Sequence, residues 1–476
     1  FFSRGIMDPP AHDIQTPEKP PNWALESTNL ANERLGATVI FSTDEWFARA
    51  ECLLAPSPAA FDPDAFTPQG KMMDGWESRR RRLPGHDWCV IKLGLPGIIR
   101  GVEIDTAFFT GNQVPRISLE VAELPSSAAD GTSWGLPGAA TRVANQGGTQ
   151  GTAATPTEIE EALEACEAWD WQPLIAHKDV PLRPGYKDRC VHFFPALDQS
   201  APSSKRATHV RVNYFPDGGV ARLRVWGDVA RDFSTELANA GSIDLASVAN
   251  GGRGLGCSNS HYGVPRNLLQ TGRGVNMGDG WETGRHPDRP RVIEIDPKTG
   301  LSNSSASDWA VIQLGAVCGG VECVLVDTKH FKGNFPESVQ VDACHAPSAS
   351  TAAVLESAKG GQGHGQGHGL GGSKECAWFP LLPRTRLKPD SEHVFTMPDL
   401  PAAVASRAAS LAATANAAAS GGGGALLAAS ARGKGVTHVR LTMFPDGGVM
   451  RLRVVGKAVA PLTAEGGGGG RFASKL

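Results

Sequence analysis

No run of 18 or more consecutive apolar residues occurs in this 476-residue chain, so no membrane-spanning helix is expected. The segment from Phe1 to Pro21 is polar and Pro-rich rather than basic and then apolar, so no secretion signal is visible and a soluble protein without a membrane partner is expected. Neither charge dominates. The 46 Lys and Arg against 49 Asp and Glu leave a formal net charge of -3, which lacks the basic footprint that a phosphate backbone requires, so nucleic acid is not an expected partner. The nine cysteines are odd in number, scattered, and form no Cys-x-x-Cys pair, which argues against a disulfide framework or a zinc-thiolate site and for reduced thiols. Gly-x-Ser-x-Gly, Walker and His-Glu-x-x-His elements are missing. Gly251 to Gly256 has nucleotide-like glycine spacing but no strand-to-helix context, and reads as an inter-module linker. His364 and His368 stand four apart on a Gly-rich tract that fixes no metal geometry.

What is present is an internal repeat. Thr208-His209-Val210-Arg211-Val212 and Phe215-Pro216-Asp217-Gly218-Gly219-Val220 recur as Thr437-His438-Val439-Arg440-Leu441 and Phe444-Pro445-Asp446-Gly447-Gly448-Val449, at an offset of 446 − 217 = 229. Asp74-Gly75-Trp76-Glu77 matches Asp279-Gly280-Trp281-Glu282, Asp87-Trp88 matches Asp308-Trp309, and Asp105-Thr106 with Gly111-Asn112 matches Asp327-Thr328 with Gly333-Asn334, all in one order. The expected organisation is a flexible segment 1–30, a module 31–232, a linker 233–255, a second module 256–460 and a Gly-rich tail 461–476.

Within each copy the apolar spacing is that of strands. Val210, Val212 and Tyr214 alternate with His209, Arg211 and Asn213, and Leu223 and Val225 alternate with Arg222 and Arg224. Pro-Asp-Gly-Gly between them is turn chemistry, so a β-hairpin is expected there. Val90 to Leu93, Gly101 to Asp105, Trp309 to Leu314 and Cys323 to Asp327 read as further short strands, and the whole as an all-β chain of two tandem jelly-roll sandwiches. The tracts 126–157, 346–374 and 402–432 are low in information; Glu158 to Glu167 and Ala402 to Ala419 can form short helices, but their flanking glycines and few large apolar residues point to flexible insertions that add no core.

Candidate chemistry lies in the repeated motifs. Trp76 and Trp281, Glu77 and Glu282, Arg80 and Arg285 combine aromatic, carboxylate and guanidinium groups on one loop: the guanidinium can bind a carboxylate through two hydrogen bonds, and Glu can accept from urea-type N–H groups. The competing structural reading makes the tryptophans core plugs and pairs each Glu with a neighbouring Arg. Asp105-Thr106 and Asp327-Thr328 end apolar strands and feed the loops of Asn112 and Asn334; each Asp can activate water, bind a metal, or cap its own turn. His209 and His438 share a face with Arg211 and Arg440, a basic stripe that either receives a carboxylate or is a solvated or subunit-contacting surface.

Taken together, Asp74-Gly75-Trp76-Glu77, Asn276-Met277-Gly278-Asp279-Gly280-Trp281-Glu282-Thr283, the Asp-Thr to Gly-Asn segments and the two Phe-Pro-Asp-Gly-Gly turns resemble the allantoicase family from about Leu35 to Gly456. The resemblance implies two jelly-roll modules similar to galactose-binding or discoidin-type sandwiches, homo-oligomeric assembly, and hydrolysis of allantoate to ureidoglycolate and urea in allantoin and purine degradation. It leads one to expect a second Arg or Lys after Trp281-Glu282-Thr283, where this chain has Gly284. For that reaction the catalytic candidates are Asp105, Asp327, Glu77 and Glu282, and the substrate-binding candidates are Arg80, Arg285, Trp76, Trp281, Asn112, Asn334, Thr106 and Thr328. No cofactor is required by the sequence, and its carboxylates and histidines permit a divalent metal such as Mn. Ser474-Lys475-Leu476 is the tripeptide that a peroxisomal import receptor reads, so a peroxisomal location is expected, with the cytoplasm as the alternative. The rival reading is a non-catalytic small-ligand or carbohydrate-binding sandwich, since fold alone does not fix function; a structural subunit with a decayed site is a third.

Overall fold

The computed structural model describes residues 20–124, 149–175, 180–186, 189–197, 206–231, 241–359, 376–396 and 435–462. The His364 and His368 tract, the Ala402 to Ala419 run and the Ser474-Lys475-Leu476 tripeptide lie outside the described residues. The chain divides into two compact units, Phe1–Asp228 and Val229–Leu476.

Each unit is a β-sandwich organised by one very long strand, Asp87–Asp105 in the first and Asp308–Asp327 in the second. The two short strands expected on either side of Leu95-Pro96 are thus one continuous element. Its first half pairs with Thr38–Ser42 and Ala207–Phe215. Its second half pairs with Val191–Pro195 and neighbours Arg222–Val229. The second unit repeats the scheme: Asp308 to Cys318 takes Val436–Phe444 and Ala316 to Asp327 takes Arg451–Pro461. The strand therefore starts in one layer and finishes in the other, and the inward-facing Ile91, Leu93, Val102, Ile104, Val210, Val212 and Tyr214 form the core.

This topology corrects the expected hairpin. The runs on either side of Pro-Asp-Gly-Gly do not pair with each other; they run to opposite ends of the long strand. The reason lies in the turn: Gly219–Val220 leaves the sheet to pair with Trp76–Glu77, and Gly448–Val449 does the same with Trp281–Glu282. Gly218 and Gly447 carry φ of 129° and 138°, a region that L side chains rarely enter.

Two other boundaries move. Residues Thr28–Asn29 pair with Trp226 and Gly227, so the expected flexible segment 1–30 ends inside the first sheet. Ile243–Asp244 and Arg253–Cys257 are strands of the second sheet, so the expected linker 233–255 contributes to its module, as do the glycines of its Gly-rich stretch.

The insertions also contribute core, against expectation. Thr155 and Glu158 form a reciprocal cap on the helix Pro156–Glu167, whose Ala162 and Cys166 pack on Phe41, Trp88 and Val90. In the second unit Val354 and Ala358 of the helix Thr351–Lys359 pack on Trp309 and Val311. These helices cover the outer face of the strand carrying His209 or His438, so that stripe is not a solvated surface. Both histidines are buried, each with Nδ1 2.9 Å from the preceding threonine hydroxyl, Thr208 or Thr437. Arg211 pairs with Glu120 and Arg440 with Asp342.

Two measurements check this packing. A Cβ on Gly448 would lie 2.0 Å from the ring of Phe331, and one on Gly219 equally close to Phe109; Gly448→Ala is expected to cost roughly 1–3 kcal/mol in denaturant unfolding, and an unchanged midpoint would contradict the contact. Burial pulls the pKa of His209 down to about 3 and that of His438 to about 4 from 6.5. Between pH 6.5 and about 4 the unfolded chain then binds more protons than the folded one, so stability falls as pH falls. Melting curves across that window should decline, and His209→Gln or His438→Gln should flatten the decline; an identical slope in both variants would refute the assignment.

Candidate active site

At one end of each sandwich three repeated motifs meet. The long strand ends at Asp105, whose carbonyl accepts from Ala221 N at 2.8 Å; Val220 and Gly219 beside it pair with Trp76 and Glu77. The loop after the strand supplies Asn112, whose Nδ2 donates to Glu77 Oε1 at 2.6 Å, and whose carbonyl accepts from Gly219 N at 2.8 Å. In the second unit the same set forms around Asp327, Trp281, Glu282 and Asn334, with Asn334 Nδ2 at 2.5 Å from Glu282 Oε1. Glu and Asn lie 35 and 52 residues apart in the two copies and are brought into one clasp each.

Glu77 is 9% exposed, and burial is the main cause that raises its carboxyl pKa, against the opposing hydrogen bond from Asn112. It therefore holds its proton to higher pH than an ordinary glutamate. Arg80 and Arg285 are exposed, three residues after their Glu, and make no ion pair among the described residues. A ligand carboxylate can reach them without displacing a protein partner.

Other candidates have different roles. Trp76 and Trp281 are 0% exposed, and their indole N–H groups donate to the carbonyls of Asp44 and Asn259 at 2.8 and 2.9 Å. They are core plugs that fix the Glu beside them, not ligand contacts, because the volume of an indole is better buried beneath the turn than left in water. Thr106 and Thr328 are also fully buried, with hydroxyls donated to the carbonyls of Arg183 and Lys388. They anchor the loop. Asp105 Oδ1 accepts from Ala107 N at 2.8 Å and Asp327 Oδ1 from Lys329 N at 2.7 Å, which is the turn-capping role. Asp327 is 3% exposed, whereas Asp105 is half-buried. Among the described residues no three or more His, Cys, Asp or Glu side chains converge, and no metal ligand set is drawn from this geometry.

Several supporting residues were not singled out from sequence. Asp44 accepts from the backbone of Trp46 and Arg79 and pairs with the Arg79 guanidinium at 2.7 Å. Asn259 makes the matching backbone contacts to His261 and Gly284 in the second unit. The missing cation at Gly284 is thus matched by a missing anion: Asp44 and Arg79 in one copy stand where Asn259 and Gly284 stand in the other. Arg79 belongs to this pair, and the absence at Gly284 leaves no buried charge behind. Asp217 accepts from Arg81 N, and Asp446 from His286 N and the Arg289 guanidinium, so the aspartate of Phe-Pro-Asp ties down the segment after Trp-Glu. Arg222 and Arg451 are buried beneath the loops preceding Trp-Glu and donate to their carbonyls, among them those of Asp74 and Asp279. His192 and His393 bridge equivalent positions, donating to Ile104 and Val326 carbonyls and accepting from Arg183 and Lys388 N–H.

The sequence also matches known proteins. The family model of the allantoicase repeat matches residues 28–230, 243–409 and 418–459. The chain belongs to the allantoicase family. A relative in Pseudomonas fluorescens (strain SBW25) named probable allantoicase is 35% identical over 430 residues, 90% of this chain and 96% of the relative. One in Stutzerimonas stutzeri, of the same name, is 36% identical over 433 residues, with the same coverage. The crystal structure of allantoicase from Saccharomyces cerevisiae is 28% identical, covers 90% of this chain and 93% of its own, and superposes with a TM-score of 0.55. The repeat that the family model describes corresponds to the duplicated sandwich.

Proposed function

We infer that the chain is a hydrolase that converts allantoate and water to ureidoglycolate and urea, and that the Glu-Asn clasps with Arg80 and Arg285 bind the substrate. The activity follows from membership of the allantoicase family over nearly the whole chain. The observation that supports the site is the buried Glu77 carboxyl held by Asn112, with the exposed Arg80 three residues on in the same loop.

Allantoate carries a carboxylate and two ureido arms on one carbon. Arg80 or Arg285 is positioned to take the carboxylate through parallel hydrogen bonds. A glutamate that retains its proton can deliver it to the departing ureido nitrogen as the C–N bond breaks. The carboxylate so formed then takes a proton from the water whose oxygen bonds to the same carbon, which restores the protonated glutamate and balances the step. Asn112 and Asn334 orient the carboxyl and leave their own carbonyls on the turn. In this reading water activation lies with the glutamates rather than with Asp105 and Asp327, each of which gives one carboxylate oxygen to the backbone N–H two residues on.

Homo-oligomeric assembly and peroxisomal import through Ser474-Lys475-Leu476 belong to the same proposal, the first resting on the family resemblance and the second on the tripeptide itself. The test of the site is a coupled urea assay on Glu77→Gln and Glu282→Gln made separately. Loss of the acid is expected to lower kcat roughly 10²-fold or more with little change in KM in whichever module is active. In the wild type, activity should fall as pH rises through the raised Glu77 pKa, because the protonated form is the working one. Full turnover in both variants would remove the glutamates from the mechanism.

A further inference from the structure

The first unit contains a cavity of about 400 Å³ that the site above does not use. It opens between the helix Pro156–Glu167 and the outer face of the sheet. Trp88, Phe215 and Leu163 form apolar walls, and Ser118, Glu120, Arg211 and Asn213 line its floor with His86 at the edge. The polar groups are already connected: Arg211 Nη2 lies 2.5 Å from Glu120 Oε2, and Asn213 Nδ2 donates to Ser118 Oγ and to Glu120 Oε2, each at 3.1 Å. Asn213 Oδ1 accepts from His86 Nε2 at 3.3 Å, and the His86 ring leans on Phe215 with centroids 4.7 Å apart. Burial, with Arg211 and Arg81 nearby, holds His86 below its ordinary pKa despite the bond to Asn213, so it is neutral at physiological pH.

This network is electrically balanced, and that balance selects the ligand. An ion of either sign meets one attractive and one repulsive partner in the Arg211–Glu120 pair, and must also give up its own hydration. A neutral group with both N–H and C=O meets neither cost. Within the network the Ser118 hydroxyl proton and Glu120 Oε1 are not committed, so one donor and one acceptor face the space between aromatic walls. In the second unit the side chains on the corresponding face are arranged differently. There the Arg384 guanidinium lies 4.0 Å from the centroid of Phe444, tied to Ser338 and Ser302, and Arg440 reaches the carbonyl of Ala358 at the end of the covering helix.

We propose that the first module carries a second binding site, between Trp88, Phe215 and the Ser118–Glu120–Arg211–Asn213 network, for a small neutral planar ureide or heterocyclic amide. The proposal goes beyond the catalytic reading and is tested by binding, not by turnover. Hydantoin, a neutral cyclic ureide, is titrated calorimetrically into the full chain, with acetate and methylguanidinium as charged controls. One saturable hydantoin site per chain is expected, with neither control saturating. Leu163 is 42% exposed, so Leu163→Trp fills the mouth with little demand on the core and should weaken hydantoin at least about tenfold, as should Asn213→Leu. Absence of saturable hydantoin binding, hydantoin binding that Leu163→Trp leaves unchanged, or preferential binding of acetate would each overturn it.

Discussion

The close approach of the Phe-Pro-Asp-Gly-Gly turn to a buried phenylalanine is the contact on which each module depends. Phe109 and Phe331 lie so close against Gly219 and Gly448 that no side chain fits between. That contact lets Gly219 and Gly448 lie flat enough to pair with the Glu of Trp-Glu and to donate to the carbonyl of the clasping Asn. Without it, the strand that returns across the sandwich, the Trp-Glu segment and the Gly-Asn loop would have no common neighbour. Phe108 and His330, at φ of 70° and 71°, stand one residue before each phenylalanine in a conformation unusual for side chains of that size. Such backbone persists only where surrounding structure determines it, and here the tight packing of the following ring does so.

The two copies share this frame and diverge where charge is concerned. The Asp44 and Arg79 pair is replaced by Asn259 and Gly284 with every backbone contact retained, which is the change expected when losing one partner alone would strand a charge. On the outer face the divergence is in volume: Arg384 covers Phe444 in one copy, whereas Phe215 borders an open cavity in the other. Duplication thus preserves the clasp while freeing the faces around it to specialise.

Much of this was readable from residues alone. Recurrence of six motifs in one order marked the duplication, and alternation at Val210, Val212 and Tyr214 marked the core strand. The failures have physical causes. Pro-Asp-Gly-Gly has the composition of a hairpin turn whether the flanking strands pair or part, and only the partner of Gly219–Val220 decides between them. The helix Thr351–Lys359 was hidden because its core contribution is small, Val354 and Ala358, within a polar tract. Trp76 and Thr106 looked like ligand contacts because repetition preserves fold determinants and functional groups alike. Asp105 and Asp327 carry the same ambiguity, each giving one carboxylate oxygen to the backbone N–H two residues on. Asp44 and Asn259 carry little signal in sequence, since they differ in charge and act through backbone contacts.

The central claim is that Glu77 and Asn112 act as one unit on the substrate. A double-mutant cycle on kcat/KM for allantoate, with Glu77→Gln, Asn112→Ala and the pair, measures that directly. The account predicts non-additivity, with a coupling of about 0.5–3 kcal/mol, because removing either partner disables the other. Strictly additive losses would show that the two side chains work independently, and would contradict it.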